Sequence, residues 1–137
     1  MTVGDLDRSL RFYRDLLGLP VRATGEEDGP HLAAVTGLEG ARVRYADLDA
    51  GGGRLVELLQ YLAPTSAPAP AAPNAAGTGH LAIRVADVAA AAERLRAAGV
   101  KIRSRGPVAI DDDGDWAGAT CLYAIDPDGF TVELIER

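Results

Sequence analysis

The chain has 137 residues, 47% hydrophobic and 25% charged, with a net charge of −6 and a single cysteine. That size suits one compact domain, or two half-domains sharing a core. Scattered Lys and Arg under a negative net charge argue against nucleic acid, which needs clustered cations. One cysteine excludes an internal disulfide and fits a cytoplasmic protein, and no apolar run approaches the ~20 residues of a membrane helix.

Asp5 opens the first element, because a carboxylate there can accept orphan N–H groups of a helical first turn. Leu6, Leu10, Tyr13 and Leu17 follow at helical spacing, and Gly18 stands where a left-handed terminator is expected. His31, in GPHLAAV, reads as a pocket or surface residue. A hairpin comes next: VRYADLD turns at AGGG into RLVELLQY. The segment 63–76 is rich in Ala and Pro and reads as a semi-extended linker.

The pattern then starts again. HLAIRV is a strand with Leu81, Ile83 and Val85 on one face and His80, Ala82 and Arg84 on the other. Asp87 caps a second helix carrying Val88, Ala92 and Leu95, and Gly99 ends it. The stretch IDDDGD lacks the spacing of a calcium loop and reads as a solvated acidic turn. Finally TCLYAI turns at DPDG, a strong turn sequence, into FTVELIER. Cys121 reads as a small buried hydrophobe.

The halves are therefore one motif used twice, which predicts an α+β fold of two tandem βαβββ modules with a curved, mixed sheet lining a cleft. The modules are 1–62 and 77–137, in one structural domain. In this comparison Tyr45 matches Tyr123 and Glu57 matches Glu133. The first strand is cut short at Met1, so the counterpart of His80 falls upstream of that residue. A shortened strand leaves a sheet edge that a second copy of the chain would cover, which predicts a homodimer.

Both Glu57 and Glu133 sit among apolar strand neighbours, in what read as central strands. A buried carboxylate needs a cation, a proton or access to water. A divalent metal held by Glu57, His80 and Glu133, with a further ligand upstream of Met1, would satisfy all three. That donor set suits Ni, Co, Zn, Mn or Fe(II). Arg84 shares the face of His80 and reads either as an ion-pair partner or as a contact for an anionic substrate group. Trp116, in DDDGDWAGA, closes over a ligand or packs its loop down.

TVGDLDRSLRFYRDLLGL, GTGHLAIRVADV and YAIDPDGFTVELIE together resemble the vicinal oxygen chelate superfamily, which includes glyoxalase I, methylmalonyl-CoA epimerase, extradiol dioxygenases and bleomycin-binding proteins. The resemblance implies paired βαβββ modules. It also implies metal ligands at His80, Glu133 and Glu57; to these the reading of the residues adds Glu133 or Glu57 as the proton carrier and Arg84, Trp116 and Tyr123 as contacts for a small-molecule substrate. It favours a glyoxalase- or epimerase-like lyase or isomerase that abstracts a proton beside a carbonyl. The alternatives are a metal-free binding protein of the bleomycin-resistance type and an Fe(II) extradiol dioxygenase.

Overall fold

Capping carboxylates begin both major helices. Asp5 accepts the N–H of Arg8 at 2.9 Å, and Asp87 accepts that of Ala90 at 2.8 Å. The computed structural model describes residues 1–68 and 72–137. They form two compact units, Met1–Ala69 and Pro70–Arg137. Of the predicted linker 63–76, Ala63 ends a strand, 64–68 and 72–76 hold no helix or strand, and residues 69–71 lie outside the described residues. Among the described residues no helix is long and apolar enough to cross a membrane.

In the first unit α1 (Leu6–Leu10) passes directly into a π-helix over Arg11–Leu16. The wider π turn places two consecutive residues, Phe12 and Tyr13, in the core at 2% and 0% exposure. A 3.6-residue period anticipates Tyr13 but not Phe12. Next come β1 (Val21–Asp28), α2 (Pro30–Thr36), β2 (Arg42–Asp49) and β3 (Leu55–Ala63), with an antiparallel sheet of order β1-β2-β3. The helix α2 has no place in the repeat. Pro30 starts it, Gly37 ends it with φ of 69°, and it buries none of its residues. Ala46, Leu48, Val56 and Leu58 form the buried face of the sheet.

A short segment ahead of α1 also meets β3. Thr2 bridges Leu59 in parallel, the Val3 N–H donates to the Leu59 carbonyl at 2.8 Å, and the Leu59 N–H donates to that of Met1 at 2.9 Å. Among the described residues, Met1–Val3 meet the outer edge of β3 at Leu59. β3 ends its sheet and is not the central strand that the sequence suggested for Glu57.

In the second unit β4 (His80–Arg84) precedes α3 (Val88–Ala97), β5 (Val108–Ala109), β6 (Thr120–Ile125) and β7 (Thr131–Glu136). Strand order is β4-β7-β6-β5, with β4 parallel to the central β7. Val88, Ala92 and Leu95 on α3 are fully buried, as are Ala124, Val132 and Leu134 in the sheet. The strand expected after α3 is reduced to a bridge between Ile102 and Ala124 and the two residues of β5. The DPDG turn is self-capped: Asp126, 4% exposed, accepts the N–H groups of Asp128 and Phe130 at 2.9 and 2.7 Å through Oδ1.

One device recurs in both units. The last part of the final strand reaches the first N–H of the helix: Gln60 Oε1 accepts from Leu6 at 3.1 Å, and Glu136 Oε2 from Val88 at 2.8 Å. Each satisfies an otherwise orphan donor at a helix start and so ties sheet to helix.

Candidate active site

Alternation along β7 explains why a carboxylate is tolerated in FTVELIER. Val132 and Leu134 turn to α3 and are fully buried, so Glu133 points to the opposite face. Neighbouring strands complete that face. Ala82 of β4 and Tyr123 of β6 stand directly across from Glu133 in the ladder. His80 lies two residues before Ala82 and shares its face.

The structure brings His80 and Glu133 together, with Nε2 and Oε2 3.2 Å apart. The imidazole is 46% exposed and the carboxylate 18%, so solvent and a ligand reach the pair while the strand still shields it. The Tyr123 ring lies against His80, with centroids 5.5 Å apart and planes at 33°. Cys121, one step along β6 on the same face, lies beside Glu133; burial first, then that carboxylate, holds the thiol above the ordinary cysteine range. Burial likewise raises the Tyr123 phenol, with Glu133 next and Cys121 last. Cys121 is therefore half-buried beside a charge, not the buried hydrophobe its strand position suggested. Periodicity alone gives no sign of that diagonal contact across two strands.

Arg84 is exposed and, among the described residues, forms no ion pair. Trp116 is 53% exposed, and the Arg137 guanidinium lies 5.5 Å from its ring centroid. The acidic stretch is a solvated turn, with Asp112 Oδ1 accepting the Gly114 N–H at 3.0 Å. His31 is exposed on α2.

Glu57 is exposed on β3, on the face opposite Val56 and Leu58. Its partner across the ladder is Asp47. Tyr45 faces Leu59 instead, so the register pairs Asp47, not Tyr45, with the role of Tyr123. Matching the halves by similar letters placed the two tyrosines together; the hairpins themselves are offset by two residues from that match.

The donors suit a divalent metal. Imidazole nitrogen and carboxylate oxygen are borderline and hard ligands, and two such atoms on one ion at ~2.1 Å each stand about 3 Å apart, close to the His80–Glu133 spacing. Within neither unit do three or more His, Cys, Asp or Glu side chains among the described residues gather as a metal cluster.

The family profile described as Glyoxalase/Bleomycin resistance protein/Dioxygenase superfamily matches residues 1–134. The chain belongs to this superfamily. It is 33% identical to lactoylglutathione lyase of Haemophilus influenzae, over 100% of this chain and 88% of that protein. It is 36% identical to 2-epi-5-epi-valiolone epimerase of an Actinomyces species, over 98% and 74%. A crystal structure of a glyoxalase family protein from Bacillus cereus superposes with a TM-score of 0.83 over 99% of this chain and 89% of the other, at 23% identity, and so shows the shared fold. Relatives that are lyases and epimerases mark this member of the superfamily as glyoxalase-like.

Proposed function

We propose that the protein is a metal-dependent lyase or isomerase that removes a proton beside the carbonyl of a small oxygenated substrate. The observation that carries this reading is the His80–Glu133 pair, converging at 3.2 Å on a solvent-accessible sheet face. Its lyase and epimerase relatives support it. His80 and Glu133 are the proposed metal ligands of the second unit, and Glu57 is the matching donor of the first. A divalent ion held there (Ni, Co, Zn, Mn or Fe(II)) would supply Lewis acidity towards the substrate's oxygens.

The chain's own part is proton transfer and positioning. Glu133 accepts the proton as the C–H bond breaks and its electron pair forms a C=C bond, leaving charge on the carbonyl oxygen. Return of the proton to the opposite face of the same carbon completes an epimerisation, and, where that carbon bears a hydroxyl whose proton passes to the former carbonyl oxygen, delivery to the neighbouring carbon completes an isomerisation. Glu57 is the second candidate base. Arg84, exposed and without an ion pair among the described residues, is the proposed contact for an anionic substrate group, and Tyr123 and Trp116 are the proposed apolar contacts. The proposal includes a homodimer, which light scattering would detect.

The test is metal content by elemental mass spectrometry, on protein purified without chelator or affinity tag. Near-stoichiometric metal, lost in His80→Ala, is the expected result. No uptake after adding each of the five ions would overturn metal dependence and favour a binding protein of the bleomycin-resistance type.

A further inference from the structure

β5 pairs with β6 only at Cys121 and Thr120, and leaves the outer edge of β6 beyond Cys121 to the segment 101–104. The Tyr123 N–H donates to Ser104 Oγ at 2.8 Å, and its carbonyl accepts from the N–H groups of Arg103 and Ser104 at 2.8 and 3.4 Å. Both backbone groups of Tyr123 therefore point away from β7. That makes Tyr123 and Glu133 a non-hydrogen-bonded pair, the kind in which facing side chains approach most closely. On the same face the Tyr123 ring meets the His80 imidazole, whose Nε2 meets Glu133.

We propose that Tyr123 is a positioning residue: clamped through its backbone by Arg103 and Ser104, its ring holds the His80 imidazole with Nε2 turned to Glu133. The significance for turnover rests on the proposed metal site, but the positioning itself does not. A free imidazole rotates about two torsions, and groups that fix a ligating imidazole are commonly worth 10- to 100-fold in metal affinity. Here an aromatic face does that work from the side, and the hydroxyl is not required.

The role therefore predicts rescue by phenylalanine. The chain has two histidines, so His31→Gln assigns the His80 ring signals by NMR. In metal-free protein, Tyr123→Phe should leave the His80 ring-proton shifts and their contacts to Glu133 in place, whereas Tyr123→Leu should move the shifts and lose the contacts. Affinity for Zn alone, by chelator competition, should fall about 10-fold in Tyr123→Leu and stay within about threefold in Tyr123→Phe. Unchanged His80 signals in Tyr123→Leu would overturn the proposal. Should that variant not fold, Ser104→Ala removes one arm of the clamp; broadened Tyr123 and His80 ring signals are expected, and unaltered ones would overturn it equally. A wild-type chain that takes no Zn defeats the metal reading, while the NMR result still decides the positioning.

Discussion

Glu57 and Glu133 occupy matched places in their two sheets, each following a buried Val and preceding a fully buried Leu. Their surroundings differ in kind. Glu133 stands on a central strand, opposite an aromatic ring and in contact with an imidazole. Glu57 stands on the last strand of its sheet, exposed, opposite a second carboxylate. The repeat thus copies the backbone and the helix-facing core closely, while the opposite faces have diverged. Packing tolerates little change, whereas a residue on an open face is free to change its chemistry.

The sharpest way to break this comparison is through the carboxylates. Glu133→Gln is expected to lower proton abstraction by ~10²- to 10⁴-fold with metal still bound, measured as deuterium wash-in beside the carbonyl of small 2-oxo compounds. Glu57→Gln should have the smaller effect. Equal effects would mean that the two sites share the work. On the packed side, Leu58→Ala and Leu134→Ala should each cost ~2–5 kcal/mol in chemical denaturation, because both side chains are fully buried at matched positions. A marked inequality would show that the two cores are not equivalent.

Smaller effects sharpen the contrast. Glu136→Ala should destabilise by ~1.5–3 kcal/mol and Gln60→Ala by ~0.5–1.5 kcal/mol, since both bond a helix start but only the first carries charge. Asp47→Thr should stabilise metal-free protein by ~0.2–1 kcal/mol, by removing like charges that face each other across β2 and β3. That gain should shrink in high salt. Smallest is an acid effect at the end of β2. The Arg22 guanidinium, then the Gly51 N–H, hold Asp49 below the ordinary aspartate range. A depressed carboxylate stabilises the fold at neutral pH, and that contribution is lost as acid protonates it in the folded state. The melting temperatures of wild type and Asp49→Asn should therefore converge as pH falls below that range.

Much of this molecule is written locally. Asp5 and Asp87 cap, Gly18 and Gly99 terminate with φ of 78° and 74°, and the DPDG turn closes a hairpin, all as their chemistry dictates. Alternation in HLAIRV is enough to place His80 on an open face, whereas Glu133 reads as buried among apolar neighbours, and the 3.2 Å approach of the two depends on the parallel register of β4 and β7. Register was the least legible feature. Tyr45 resembles Tyr123 as a letter, yet Asp47 takes its place opposite the glutamate, because pairing is set by where each hairpin turns. The Ser104 clamp on Tyr123 and the thiol of Cys121 against Glu133 join residues far apart in sequence, or diagonal across strands, and no periodic pattern encodes either. Nor does a period of 3.6 reveal Ser9, whose buried hydroxyl has no hydrogen-bond partner among the described residues, while the matched Ala91 carries no such group.

The π-helix over Arg11–Leu16 also works as a measuring mark. The first helix is one residue longer than the second between its capping Asp and its closing Gly. A single widened turn absorbs the extra residue, so both helices begin and end on equivalent footings. The surplus is thus a local insertion, hidden inside a helix where a loop would normally carry it. Any correspondence drawn between the two halves must skip one residue there: positions agree up to Leu10 and again from Gly18, and a comparison without that gap slides every later residue onto the wrong partner.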